Sequence, residues 1–498
     1  MSIPQPQTVF SKEEYYCRDA LKEQGSEFIL QNFDTLFSFL VHFKDLEWSL
    51  IGRSWDLVAS GFSQLISTLS VLLEDVSNAD GGDGGQKDAA DKGGSSALDS
   101  ESRIRTLNTL RMMTYIYSQM LIHFEDRVAK KNLMALPEAK KGRKKGKNAG
   151  GGFDDEEDQF NCDDKRQTIL AHFYSILQLP LNRLWDPPLA EEEFIHLIAN
   201  CCYKILEDST TANVRLRHVR ESIFQVLGTL IKRYNHGLSC SLKIVQLLKI
   251  YEHTSSPLAQ GVISFAGPAL SCRSIVREVL REISETDPGE FSADASGTRA
   301  ICHFLTELAV GLPSLMQSSI SLILPILDFE SYTMRICVLG VLTEIISQLL
   351  SGDDLDEAAK TSRDSFLDHI ENHMHDVNAF VRSKVLQYWQ RLCREKAIPL
   401  SRQHDVLEKA VGRLSDKSNL VRKYSLQLVR AFLEGNPFAV KMHDGHGVLH
   451  GDVESSLSGM IRLSAQCPIP SCVMVTSSLN AVMTVHGHSK APGFPVRS

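Results

Sequence analysis

The chain has 498 residues, 43% of them hydrophobic and 7% aromatic, and a formal net charge of −8. This length exceeds the size at which one hydrophobic core stops growing, so more than one structural unit is expected. The acidic balance excludes a protein that is basic throughout, and any contact with nucleic acid has to come from a local patch.

Met1 to Phe10 is polar and does not read as a signal peptide. From 11 to 76 apolar residues recur at helical spacing: Phe28, Phe33, Leu36, Phe37, Leu40 and Phe43, then Leu57, Val58, Phe62, Leu65, Leu69 and Leu72. Residues 78–100 are rich in Gly, Asp and Ser, too poor in apolar surface to offset their ordering entropy, and are expected to be a disordered insert. Helical spacing returns with Ile104, Leu107, Leu110, Met113, Ile116, Tyr117, Met120 and Leu121, completing an N-terminal helical region over 1–136.

Residues 137–164 read as a charged flexible linker. Lys140, Lys141, Arg143, Lys144, Lys145 and Lys147 are crowded together, and Gly150 to Gly152 separate them from Asp154, Asp155, Glu156, Glu157 and Asp158. Charge blocks of this kind repel along their own length and stay solvated. From 165 to 438 the pattern is almost unbroken helix, punctuated by turn signals such as Pro180, Pro187-Pro188, Ser256-Pro257, Pro313, Pro399 and Asn436-Pro437. No run of 18 apolar residues occurs, so no membrane span is expected.

Within this region the chain resembles itself. HDVNAFVRSKVLQ begins at His375 and SDKSNLVRKYSLQ at Ser415, which places Asp376 and Asp416, Val381 and Val421, and Arg382 and Arg422 each 40 residues apart. A weaker copy runs through Asp328, Met334-Arg335, Val338, Val341 and Ile345, with looser echoes at Val219-Arg220 and Val276-Arg277. The period is near the ~40–47 residues of HEAT and armadillo units. The pattern predicts an all-α, HEAT/armadillo-like α-solenoid with an N-terminal helical region and disordered inserts. Val381, Val385, Tyr388 and Leu392 form one helical stripe. Each Asp is placed to cap the second helix of its pair, and each Arg can reach the Asp of a neighbouring repeat. Asp376, Arg382, Asp416 and Arg422 are thus expected to form a structural ladder.

Catalytic constellations are missing from the sequence. Gly142 to Lys147 has no preceding strand to make it a phosphate loop, and neither a GxGxxG turn nor a GxSxG elbow occurs. His369 and His373 in HIENH lack the Glu that zincins place directly after the first His. His443, His446, His450, Cys467 and Cys472 match no zinc module by spacing. The 11 cysteines include no CxxC pair and read as reduced thiols. No enzymatic activity, cofactor or metal site is therefore expected. The cluster from Lys140 to Lys147 is the candidate functional patch, for nuclear import or for DNA phosphates.

Several stretches carry a family resemblance: FDTLFSFLVHF (33–43), EEEFIHLIANCCYKILE (191–207), RYNHGLSCSLKIVQLLKIYEH (233–253), SIVREVLREI (274–283), FLTELA (304–309), FLDHIENHMHDVNAFVRSKVLQ (366–387) and AVGRLSDKSNLVRKYSLQLVRAFLEGNPF (410–438). In this order they resemble the condensin complex subunit 1 family, the HEAT-repeat regulatory subunits of condensin I. The resemblance covers that family's N-terminal portion and implies a truncated form. It implies a non-catalytic role in mitotic chromosome condensation, binding of kleisin and SMC subunits and of chromatin, and residence in the nucleus and on chromosomes with a cytoplasmic pool. The alternative is another nuclear helical solenoid such as a transport receptor. From about Ala439 the resemblance stops, and 439–498 is expected to be a divergent, disordered tail.

Overall fold

A computed structural model of the protein describes residues 28, 31–80, 100–134, 162–291, 295–352 and 354–435. The cluster Lys140 to Lys147, the tail 439–498, and most of the insert and linker lie outside the described residues. Every regular element among the described residues is a helix, and the fold is an all-α solenoid of stacked helix pairs. The chain divides into two compact units, Met1–Leu247 with Ser256–Glu278, and Leu248–Ser255 with Val279–Ser498.

The first unit contains α1 (Phe33–Val41), α2 (Trp48–Asp80), α3 (Ser100–Met134), α4 (Cys162–Gln178), α5 (Glu192–Glu207) and α6 (Arg217–Tyr234), with most of α7 (Gly237–Ile250) and α8 (Ser255–Ala266). Successive helices alternate between two layers, with α1, α3 and α5 in one and α2, α4 and α6 in the other. The helical stripes read from sequence supply the core between them. Val58, Phe62, Leu65 and Leu69 of α2 and Leu110, Met113, Tyr117 and Met120 of α3 are all buried. Aromatic rings fill the centre: the Phe62 and Tyr117 centroids are 5.3 Å apart, and Trp55 and Phe173 stand edge-on to Tyr117 at 5.6 and 5.8 Å. Edge-to-face pairs of this kind add about 1 kcal/mol each beyond the area they bury.

The second unit contains α10 (Ser296–Gly311), α11 (Pro313–Ser319), α12 (Tyr332–Leu349), α13 (Glu357–Asn372), α14 (Ala379–Arg394), α15 (Leu400–Gly412) and α16 (Asn419–Gly435); α9 (Ser274–Ser284) lies across the division. Here α10, α12, α14 and α16 stack in one layer, and the core is mainly aliphatic, with Trp389 its largest fully buried side chain.

Some expectations shift. α2 runs on to Asp80 and α3 begins at Ser100, so the ends of the expected insert are helical; α4 likewise begins at Cys162, inside the expected linker. Phe37 is 44% and Ile104 52% exposed, while Phe39, outside the predicted stripe, is buried. Pro313 opens α11 and Pro399 immediately precedes α15, where a missing N–H is harmless. Two helices, Trp48–Leu73 and Tyr332–Leu349, are long and apolar enough by composition to cross a membrane. Each carries a buried apolar stripe, Phe62, Leu65 and Leu69 in the first and Val338, Leu342 and Ile345 in the second, while Val71 of the first is 58% exposed.

Candidate interaction site: an arginine ladder

The turn inside each of the last two helix pairs is built the same way. Asp376 Oδ1 accepts a hydrogen bond from the Asn378 N–H at 2.7 Å, and Asp416 Oδ1 accepts one from the Ser418 N–H at 2.9 Å. These are Asx-turns, in which the side chain mimics the backbone of a turn. At the first of them the helix cap lies two residues on from the expected one: Asn378 rather than Asp376 accepts from the Phe380 N–H, at 2.8 Å.

Six residues after each Asp an arginine folds back over the turn. Arg382 Nη1 donates to the Asp376 and Val377 carbonyls at 2.7 and 3.1 Å, and Arg422 Nη1 to the Asp416 and Lys417 carbonyls at the same two distances. Arg335 does likewise with Phe329 and Glu330, at 2.5 and 3.0 Å. The rest of the guanidinium faces the next pair. Arg335 Nε and Nη2 meet both carboxylate oxygens of Asp376 at 3.0 and 2.9 Å, and Arg382 meets Asp416 at 2.9 Å through each. The rungs are nearly dry, with side chains 8% and 6% exposed in the first and 13% and 4% in the second. Burial opposes ionisation of Asp416, but hydrogen bonds from Arg382 and the Ser418 N–H outweigh it and hold the carboxyl below its ordinary pKa.

The first unit has a rung that the sequence reading missed. Arg166 on α4 reaches Asp208 at 2.8 Å and pairs with both oxygens of Glu125 at 2.7 and 2.6 Å. Asp208 forms its own Asx-turn with the Thr210 N–H at 3.0 Å. Burial dominates at Glu125 and raises its pKa, whereas at Asp208 the bonds from Thr210 and Arg166 overcome burial and lower it. The local sequence differs here because Ser-Thr-Thr-Ala follows Asp208 where Val-Asn-Ala-Phe follows Asp376. The available signal was an Asp ending an amphipathic helix 42 residues after Arg166. Arg220, an echo in the sequence, donates among the described residues to the Thr211 and Asn213 carbonyls, at 2.5 and 2.6 Å, and to no carboxylate there.

The stripe of the best repeat is buried at Val381, Val385 and Leu392. Tyr388 is half-buried, and its hydroxyl donates to the Ile336 carbonyl at 3.0 Å. His369 and His373 form no cluster: His373 Nδ1 bonds to the His369 carbonyl oxygen at 2.7 Å, and among the described residues no three His, Cys, Asp or Glu side chains are grouped to hold a metal. His443, His446, His450, Cys467 and Cys472 lie outside the described residues. Arg335 and Arg382 each present a planar fork whose Nε and Nη2 hold both oxygens of one carboxylate in one orientation, whereas Arg166 divides its donors between Glu125 and Asp208.

Residues 49–240 match a family model described as non-SMC mitotic condensation complex subunit 1, N-term. The chain is 38% identical over 447 residues to condensin complex subunit 1 of Homo sapiens, 36% identical over 449 residues to that of Mus musculus, and 38% identical over 415 residues to that of Xenopus laevis. These alignments cover 90%, 90% and 83% of this chain but 30%, 30% and 28% of the relatives, so the chain spans about three-tenths of their length.

Proposed function

The chain belongs to the condensin complex subunit 1 family, and from that kinship we propose that it serves as a non-catalytic subunit of condensin in mitotic chromosome condensation. In this reading it contacts the kleisin and SMC subunits and, within the complex, chromatin, and it resides in the nucleus and on chromosomes with a cytoplasmic pool. Identity over 90% of the chain carries the proposal. The stacked pairs support it, since a solenoid offers a long surface for partners. The proposed division is an N-terminal region 1–136, a linker from 137 that ends where α4 begins at Cys162 rather than at 164, a solenoid region to 438, and a divergent segment 439–498. Lys140, Lys141, Arg143, Lys144, Lys145 and Lys147 supply its cationic patch.

The competing reading, a nuclear transport receptor of the same architecture, is disfavoured by the relatives' identity. Affinity purification of the tagged chain from mitotic cells separates the two. Recovery of SMC and kleisin subunits supports the condensin reading; recovery of a small GTPase with import cargo, and no SMC protein, refutes it.

A further inference from the structure

Two cysteines meet where α10 stacks on α12. Cys337 Sγ donates to the Cys302 carbonyl at 3.4 Å. Cys302 Sγ lies 3.7 Å from the carbonyl oxygen of Thr333, one helical turn before Cys337, and 3.5 Å from Met334 Sδ. The two thiols are hydrogen-bond partners of one another. The Thr306 hydroxyl, which donates to the Cys302 carbonyl at 2.8 Å, reaches the Cys337 sulfur as well. Exposure divides the pair: Cys302 is half-buried and open to a small solute, whereas Cys337 is 5% exposed. Cys202 and Cys240 also lie close enough to interact, but both are fully buried and closed to an oxidant.

We propose that Cys302 and Cys337 form an oxidation site: hydrogen peroxide oxidises Cys302, and Cys337 then closes a disulfide that ties α10 to α12. In the first step the Cys302 sulfur attacks one peroxide oxygen. An S–O bond forms, the O–O bond breaks, and the departing hydroxide takes the thiol proton to leave as water. In the second step the Cys337 sulfur attacks the sulfenic sulfur. The S–S bond forms, the S–O bond breaks, and the hydroxyl leaves as water with the Cys337 proton. Two thiols are oxidised by two electrons in all, and one peroxide is reduced to two waters. In the reduced pair, contact with Cys302 and burial hold the Cys337 thiol well above its ordinary pKa, and the Thr306 hydroxyl opposes them. Repulsion between the two sulfurs disappears once Cys302 carries a neutral sulfenic acid, so the first step prepares the second. A covalent tie between α10 and α12 fixes the rotation between successive helix pairs, and with it the curvature of the surface they present.

The test treats the full reduced chain with hydrogen peroxide and maps its peptides without reduction. Wild type is compared with Cys302→Ser and Cys337→Ala, each checked for folding by a thermal melt before treatment. The expected wild-type product is a Cys302–Cys337 linked peptide that disappears on adding dithiothreitol. In Cys337→Ala, Cys302 should stop at the sulfenic acid and be trapped by dimedone; in Cys302→Ser, Cys337 should stay a free thiol. Because Cys337 follows Cys302 by 35 residues, the disulfide should also raise the melting temperature by about 3 °C or more, reversibly. Oxidation of wild-type Cys302 to sulfinic acid with no linked peptide overturns the proposal, as does linkage of Cys302 to any other cysteine. A Cys302 that stays reduced while peroxide consumes free glutathione in the same tube overturns it too. These wild-type outcomes decide the matter even where a variant does not fold.

Discussion

His236 is 4% exposed, its Nε2 lies 3.0 Å from the Tyr203 hydroxyl, and the His196 ring stands 5.7 Å away. Burial, reinforced by the neighbouring His196, lowers its pKa to about 4. The unfolded chain takes up a proton at this histidine below about pH 6.5, and the folded chain does so only near pH 4. The native state is therefore favoured above pH 6.5 and loses this contribution as the pH falls towards 4, by about 2 kcal/mol between pH 7 and pH 5. Denaturant titrations of wild type and His236→Gln at both pH values check this; the variant, whose amide can still meet Tyr203, should lose less stability on acidification. In the ladder, Arg382→Ala strands the nearly dry Asp416 carboxylate with only the Ser418 N–H at 2.9 Å and Arg413 at 3.5 Å, and should cost about 3 kcal/mol. Val381→Asp puts an unpaired carboxylate at a position with 0% exposure and should unfold the last repeats outright. Equal melting temperatures for wild type and Val381→Asp would refute the core assignment of that face.

At the scale of the helix, close approach is set by residues without side chains. A Cβ on Gly261 of α8 would lie 2.4 to 2.9 Å from three ring carbons of Phe224 on α6, a ring held edge-on to Phe265 at 5.9 Å. Gly261→Ala gains helix propensity of about 1 kcal/mol yet should destabilise by about 2 kcal/mol net, because the ring cannot swing aside; chemical denaturation measures the sign. The same scale explains what the sequence disclosed. α14 and α16 were legible because Val381, Val385 and Leu392 recur 40 residues on at Val421, Ser425 and Phe432, with both arginines in register. Around α1 the stripe held at Leu40 and Phe43 but included the exposed Phe37 and omitted Phe39, because Phe33, Leu36, Phe37, Phe39 and Leu40 supply apolar candidates on more than one face and only packing, chiefly on α3, selects among them. The first unit's repeats were harder to see because aromatic rings fill its core and the Asp208 turn has a different length and sequence from the turn at Asp376.

For the whole molecule, the solenoid and its kinship were legible from periodicity and ordered stretches, whereas the buried Glu125–Arg166–Asp208 cluster was not, since its members come from three helices or their ends that no local spacing connects. The basic cluster at 140–147 lies outside the described residues, and its proposed role is nuclear import. Replacing Lys140, Lys141, Arg143, Lys144, Lys145 and Lys147 by Gln should leave the melting temperature unchanged, because charged linkers of this composition add nothing to a packed core, and should lower the nuclear fraction of a tagged chain. Equal nuclear fractions would assign the cluster to the linker alone. The central claim, that these stacked pairs act by holding other condensin subunits, is tested most directly by sedimentation velocity of the purified chain mixed with a preassembled kleisin–SMC complex. The chain should leave its own boundary and move with the faster complex in proportion to the complex added; a chain that sediments alone at every ratio contradicts the account.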